Sequence, residues 1–148
     1  MSREFVQKEV NKIVAEYDFP KNWAMASAWI LGNLKGSNLK VIDVAKTSGL
    51  ADYFIIVSAG NPIQAQSMAE EVAFQAKRLK QTVLSIEGKG GSDWILIDLG
   101  DVIVHIFSES VRDIYDLDQL YADGPIVEIP QEYYFSSPEE EEEEGGYF

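Results

Sequence analysis

The chain has 148 residues, 46% of them hydrophobic, which suits one domain with one packed core. It has no cysteine, which excludes disulfides, thiolate metal sites and thiol nucleophiles. Residues 1–112 carry 12 basic and 13 acidic side chains, whereas residues 113–148 carry 12 acidic and no basic ones; we therefore expect a basic partner and predict no direct nucleic-acid site.

Two helices are predicted before the first strand. Apolar residues at helical spacing predict an N-terminal accessory helix within residues 1–22. That helix could cover an edge of the sheet or pair two copies of the chain, and the sequence leaves both alternatives open. A second helix is predicted over residues 23–35, with Asn22 as its N-cap and Gly36 past its end.

Five strands and a long helix are predicted after that. The strands are expected at 39–44, 52–57, 83–86, 94–99 and 102–107. The helix follows the second strand, with Asn61 as N-cap and Pro62 in its first turn, and it ends near Lys80. This strand–helix–strand unit predicts parallel pairing of the second and third strands. Gly100-Asp101 predicts a hairpin between the last two.

A last helix is predicted over residues 110–121, and its apolar stripe of Ile114, Leu117 and either Leu120 or Tyr121 predicts core packing. The predicted fold class is α/β, a mixed β-sheet of about five strands flanked by helices, formed by residues 23–125. Residues 126–148 include six consecutive glutamates. That composition predicts an acidic, disordered C-terminal tail.

The sequence shows no membrane-spanning segment, signal peptide or transit peptide, and the cellular location is predicted from these absences. No apolar run is long enough to span a membrane, and the first ten residues mix charges without an apolar stretch. Acidic residues near the N-terminus argue against an organelle transit peptide. We therefore expect a cytoplasmic protein that does not bind membranes.

The glycine-rich segment 88–91 raises the question of a phosphate-binding loop. Such a loop needs a strand before it and a helix after it, so that backbone N–H groups point at the phosphates. Here the segment leads into a predicted strand. We therefore predict a flexible turn.

Asp98, Asp101 and His105 are the candidates for a metal or acid–base centre. Nucleotidyltransferases hold two magnesium ions with two aspartates at positions i and i+2 of a strand. Asp98 and Asp101 are three residues apart across a glycine turn, and positions i and i+3 of a strand face opposite sides. The catalytic pair is missing, so we predict no enzyme activity, no metal and no cofactor. A nucleotidyltransferase acting on nucleotide substrates is the alternative.

Alternation along the strand at 102–107 predicts a core face and a displayed face. The core face consists of aliphatic residues, namely Val102, Val104 and Ile106. The opposite face then displays Ile103, His105 and Phe107. For the preceding strand, periodicity alone does not decide which face is buried. A surface that mixes Trp, His, Phe and carboxylates is typical of a protein interface, so residues 91–121 are predicted to be a docking surface.

Several segments between residues 23 and 125 form a recognisable pattern. They are DYFII at 52–56, Gln64, Glu87-Gly88, the ungapped block WILIDLGDVIVHIF at 94–107, and Arg112, Tyr115, Leu117, Leu120 and Tyr121. Together they resemble the ribosomal silencing factor family, also called Iojap-related. The resemblance implies a fold related to nucleotidyltransferases but without their catalytic acids.

The resemblance also implies a function. Such factors bind the large ribosomal subunit through its ribosomal protein fourteen, block joining of the small subunit and repress translation when nutrients are scarce. Carried over by position, the partner-binding residues would be Trp94, Asp98, Leu99, Asp101, His105, Phe107 and Tyr115, with Arg112 as an orienting group. A homodimeric scaffold is a further alternative.

The chain departs from the family pattern in places. The family's Ser-Gly-x-Ser after the central strand is Ser-Ala-Gly-Asn at 58–61, and the Trp expected near the end of the pattern is Tyr121. The segments before Asn22 and after Pro125 lie outside the resemblance. Nothing is therefore implied for the predicted accessory helix or the acidic tail.

Overall fold

The computed structural model describes residues 2–134, so the glutamate run and the rest of the predicted tail from residue 135 lie outside the described residues. The helices are α1 (Arg3–Glu16), α2 (Lys21–Asn33), α3 (Pro62–Arg78), α4 (Arg112–Tyr115) and α5 (Leu117–Leu120). The strands are β1 (Ser37–Asp43), β2 (Tyr53–Ala59), β3 (Ser85–Glu87), β4 (Trp94–Asp98), β5 (Val102–Ser108) and β6 (Ile126–Val127). A short 3-10 helix, Gln131–Tyr134, ends the described part.

The strands form one mixed sheet in the order β3-β4-β5-β2-β1-β6. Among the strands of residues 2–134, β2 and β5 pair in parallel and the other neighbours are antiparallel. The predicted mixed sheet flanked by helices is therefore confirmed, with a sixth strand added. The predicted parallel pairing of the second and third strands is wrong, because the β4–β5 hairpin lies between β2 and β3.

One face of the sheet is covered by α1, α2 and α3 and holds the larger apolar core. In β5 this face carries Val102, Val104 and Ile106, the aliphatic residues predicted to be core. The α2 helix buries Trp29 against that core, because apolar residues occupy nearly its whole circumference. The opposite face of the sheet carries a second, smaller apolar cluster under residues 108–121.

The α1 helix packs into the main core. Its apolar positions Val6, Val10 and Ile13 are buried, at the helical spacing seen in the sequence. The ring of Phe5 lies 6.0 Å from that of Trp29 in α2. Hydrophobic burial against α2 therefore holds this helix in place.

The first part of the predicted tail belongs to the fold. Ile126 and Val127 pair with Ile42 and Val41 of β1, and the side chain of Tyr133 is buried beside α2. The predicted boundary at residue 126 was too early. The prediction relied on the average composition of residues 126–148, which is polar. It therefore missed the few apolar residues in this segment that pack against distant parts of the chain.

We expect Tyr133→Ala to lower the free energy of unfolding by about 3 kcal/mol, because truncating a buried aromatic leaves a cavity. The side chain is 6% exposed, and its backbone carbonyl accepts a hydrogen bond from the Asn33 side chain. Urea denaturation measures the change. Gln131→Ala, at an exposed position of the same short helix, is the control and should change stability little. Equal stabilities for both variants would contradict the assignment of this segment to the fold.

Candidate docking surface

The β4–β5 hairpin is the centre of the candidate site. Gly100 lies in its turn with a φ of +96°, a conformation that favours glycine. The amide of Leu99 donates to the carbonyl of Val102 at 2.9 Å and closes the turn. The Asp98 carboxylate accepts a hydrogen bond from the Gly100 amide at 2.8 Å. Asp98 therefore stabilises the turn, and the predicted hairpin is confirmed.

Four rings pack together on the face of the hairpin opposite α1–α3, and we call them the aromatic cluster: Trp94, His105, Phe107 and Tyr115. The ring of Trp94 lies 5.0 Å from that of Phe107 and 4.7 Å from that of Tyr115. His105 also packs edge-on against Phe54 of β2, at 4.7 Å. The cluster therefore joins β4, β5 and α4 into one surface.

The prediction that the side chains of Ile103, His105 and Phe107 are exposed is wrong. Phe107 is fully buried, and His105 is only 4% exposed. The cause is the segment 108–121, which folds back over this face and forms a second apolar layer with Leu117. Alternation identified the two faces correctly, but it does not reveal whether the second face is covered.

The predicted partner-binding residues consequently separate into two groups. Leu99, His105, Phe107 and Arg112 are buried. Trp94 and Asp98 are partly exposed, whereas Asp101 and Tyr115 are exposed.

Two further apolar residues, in the short helices α4 and α5, are exposed to solvent. Ile114 is 75% exposed, so the core packing predicted for it is wrong, and of the two alternatives Leu120 and Tyr121 it is Tyr121 that packs inward, because Leu120 is 69% exposed. The predicted single helix over 110–121 is split at Asp116, which has a φ of +51°. Leu117 and the partly buried Tyr121 pack against the smaller apolar cluster, whereas Ile114 and Leu120 face solvent. No local sequence pattern indicates that break.

Trp94 and His105 form a buried polar contact within the cluster. The indole Nε1–H donates to His105 Nδ1 at 3.1 Å. Because an indole nitrogen only donates, Nδ1 must be the acceptor, and the proton of the neutral ring resides on Nε2. Burial lowers the pKa of His105 to about 4. Nε2 is buried without a hydrogen-bond partner among the described residues, so the site has an unsatisfied donor.

We expect His105 to stay neutral at pH 6, and a ¹⁵N NMR titration of the ring should give a pKa near 4. The unfolded chain takes up a proton near pH 6.5, whereas the folded chain does not. The free energy of unfolding is therefore unaffected by His105 above pH 6.5, and it declines by up to about 3 kcal/mol as the pH falls to 4. His105→Phe should remove the part of this decline between about pH 6.5 and 5. An unchanged pH dependence in that variant would contradict the burial of a neutral ring.

A buried arginine fixes the segment 112–121 to the sheet. Arg112 is 5% exposed, and its Nε and Nη2 donate to Asp118 at 3.1 and 2.9 Å. Its Nη1 donates to Ser58 Oγ at 3.0 Å, and Lys40 Nζ lies 2.9 Å from Asp118 Oδ1. We call these four residues the Arg112 clamp. The hydrogen bonds from Arg112, and then those from Lys40, hold the pKa of Asp118 well below its usual range.

The turn that departs from the family pattern has structural partners. Ser58 belongs to the Arg112 clamp, and the side chain of Asn61 caps α3 by accepting from the Gln64 amide at 2.8 Å. The side chain of Gln64 in turn accepts from the Gly60 amide at 2.7 Å. The substituted turn thus begins α3 with two side-chain capping bonds.

The glycine-rich segment forms the turn from β3 to β4, and a strand follows it as predicted. Gly88 has a φ of +87°, and a Cβ atom there would lie 2.1 Å from the carbonyl oxygen of Trp94. Only glycine fits that contact. No helix N-terminus follows the turn to bind a phosphate.

The surface around the aromatic cluster is acidic. Residues 87–123 contain nine Asp and Glu against two Lys and Arg, a net charge of −7. One of the two basic residues is Arg112, which is buried and paired. Within residues 2–134, no group of three His, Cys, Asp or Glu side chains lies close enough to hold a metal ion. The exposed charge is therefore suited to a basic partner.

Fold and surface together define a mixed α/β protein with an aromatic cluster and an excess of acidic residues at a β-hairpin. A family model described as "Ribosomal silencing factor during starvation" matches residues 19–146. The chain belongs to this ribosomal silencing factor family, as the residues of the hairpin indicated. The family description concerns regulation of translation at the ribosome.

Curated relatives agree with this assignment. The chain is 34% identical over 95 residues to the ribosomal silencing factor RsfS of Bacillus subtilis, covering 64% of this chain and 80% of that protein. It is 35% identical over 92 residues to that of Haemophilus influenzae, with 62% and 90% covered. It is also 28% identical over 109 residues to the chloroplastic protein Iojap of Zea mays, with 74% and 47% covered.

Solved structures give the same fold. A protein from Chromobacterium violaceum matches with a TM-score of 0.62 and 25% identity, covering 83% of this chain and 91% of that one. A protein from Bacillus halodurans matches with a TM-score of 0.60 and 25% identity, covering 82% and 99%. Within residues 2–134, none of the helices combines the length and apolarity needed to cross a membrane.

Proposed function

We propose that this protein binds the large ribosomal subunit through its ribosomal protein fourteen. Bound there, it blocks joining of the small subunit and represses translation when nutrients are scarce. The observation that carries the proposal is the exposure of Tyr115, Ile114 and Leu120, together with the partly exposed Trp94, in a chain of this family. The cytoplasmic location stays a prediction.

The charge of the face supports a basic protein as the partner. A net charge of −7 over residues 87–123 attracts such a protein and is repelled by the neighbouring RNA. Electrostatic attraction of this kind mainly raises the association rate and selects the orientation. The exposed aromatic and aliphatic side chains then supply most of the affinity.

The proposal describes a regulator without a catalytic step. Asp98 is engaged in the hairpin turn, and Asp101 lies on the other side of Gly100. The enzyme alternative predicts magnesium-dependent nucleotide transfer that is lost in Asp98→Ala. Self-association is the other alternative for the exposed apolar residues, and light scattering with and without the ribosomal partner separates it from docking.

Co-sedimentation with isolated ribosomal subunits tests the proposal. The purified protein should sediment with large subunits and not with small subunits. In a light-scattering assay, protein added to the large subunits before mixing should reduce the rise that accompanies subunit joining. Binding should weaken at high salt, because salt screens the acidic face. Undiminished subunit joining at a saturating concentration of the protein would overturn the proposal.

A further inference from the structure

A groove of about 330 Å³ lies beside Trp94 at the edge of the docking face. Its lining residues are Glu87, Gly88, Ser92, Trp94 and Leu96. We propose that this groove receives an arginine side chain of the docked protein partner. The inference rests on the proposed function, because it names what the partner inserts at one point of that surface.

Strand register builds the groove. Glu87 of β3 pairs with Leu96 of β4, and Leu96 pairs with His105 of β5, so their side chains project from the same face of the sheet. Trp94 precedes Leu96 by two residues and therefore shares that face. Leu96 forms the floor, Trp94 forms one wall, and the exposed Glu87 lies at the outer rim.

The turn between β3 and β4 closes the groove on its third side. Any side chain at Gly88 would collide with the backbone of Trp94. Ser92 Oγ donates to the Trp94 carbonyl at 3.0 Å and accepts from the Trp94 amide at 3.1 Å. The wall of the groove is thus fixed before a partner arrives, which lowers the entropic cost of binding.

The groove offers a carboxylate and an aromatic surface, but no indole donor. The Trp94 N–H is already bonded to His105, and the ring is packed against Phe107 and Tyr115. Among residues 2–134, no side chain forms an ion pair or hydrogen bond with the Glu87 carboxylate. The side chain of neighbouring Asp93 is likewise unpaired within the described residues. A ligand for this groove must therefore carry positive charge and tolerate an apolar floor.

An arginine side chain meets these requirements better than other groups. Its planar guanidinium stacks on an indole and forms two parallel hydrogen bonds with a carboxylate. Its methylene stem can lie along Leu96 while the charged end reaches Glu87. Lysine lacks the planar fork, and an acidic or phosphate group is repelled by the surrounding charge.

A titration without ribosomes tests the groove directly. The full chain, labelled with ¹⁵N, is titrated with N-acetyl-arginine methylamide, and N-acetyl-norleucine methylamide serves as the uncharged probe of similar length. We expect arginine-dependent shifts at Glu87, Gly88 and the Trp94 indole, and their loss in Glu87→Gln. Equal shifts with the norleucine probe, or no shifts at these positions, would overturn the proposal.

A second experiment places the groove within the docked complex. Glu87→Gln should weaken binding to large subunits about threefold to tenfold, the range of a stacked and ion-paired arginine. It should also reduce the dependence of binding on salt. Glu109→Gln makes the same charge change at an exposed position outside the groove, and should weaken binding less than about twofold.

The outcomes separate the two proposals. If the wild-type chain binds large subunits and both variants bind equally well, the groove assignment is overturned and the proposed function stands. If the wild-type chain does not bind large subunits, the proposed function fails. The arginine titration then decides alone whether the groove takes a guanidinium group.

Discussion

Trp94→Ala should abolish co-sedimentation with large ribosomal subunits. Truncating an interface tryptophan typically costs about 2 kcal/mol or more, roughly a thirtyfold loss of affinity. In this chain the change also removes the ring that supports Tyr115, 4.7 Å away. One substitution therefore weakens two of the proposed contacts, Trp94 and Tyr115.

The structure supplies controls that separate docking from folding. Trp94→Phe should fold, because it keeps a ring between Phe107 and Tyr115. It loses the hydrogen bond to His105 and should retain only part of the binding. Ile63→Ala removes an exposed apolar residue at the start of α3, outside the docking face, and should bind like wild type. Wild-type binding by folded Trp94→Ala would contradict the role assigned to Trp94.

Local chemistry in the sequence predicts most elements of this fold. Gly100-Asp101 marks the hairpin, and the alternating apolar residues beside it locate β4 and β5 within about two residues of their observed ends. Asn61-Pro62 likewise marks the start of α3. These features are predictable because each depends on neighbours a few residues away.

Long-range contacts explain where the prediction fails. The bond between Ser58 and Arg112 joins residues that are 54 positions apart, and it fixes the segment that covers His105 and Phe107. The pairing of β6 with β1 is long-range as well. Periodicity describes the two faces of a strand but does not identify the chain segment that will cover them.

The assignment of the family also needed more than local physics. Charge counting predicts only a basic partner for the C-terminal part of the chain. The ungapped block at 94–107 indicated the family, and the family match then confirmed it. The exposed Ile114 and Leu120 were missed because a single helix would have buried them, whereas Asp116 breaks that helix.

Asp118→Ala should destabilise the protein by about 2 kcal/mol and weaken binding to large subunits. The substitution leaves the Arg112 guanidinium buried without its carboxylate, and an uncompensated buried charge is costly. This magnitude is below the roughly 3–5 kcal/mol typical of fully buried pairs, because Asp118 itself is partly exposed to solvent. Binding should weaken because the clamp holds Tyr115 in place beside Trp94.

The pH dependence of this loss distinguishes the clamp from simple packing. Because Arg112 and Lys40 lower the pKa of Asp118, the folded chain keeps the carboxylate ionised where the unfolded chain has protonated it. The stabilisation is thus fully present above about pH 4 and is lost as the pH falls further. Urea denaturation should show the gap between wild type and Asp118→Ala narrowing below pH 4. Asp113→Ala, which removes an exposed carboxylate from α4, should show neither the destabilisation nor the narrowing. If the difference in the free energy of unfolding between wild type and Asp118→Ala does not change with pH, Asp118 stabilises the segment by packing. The charge of the Arg112 clamp would then not be what positions Tyr115.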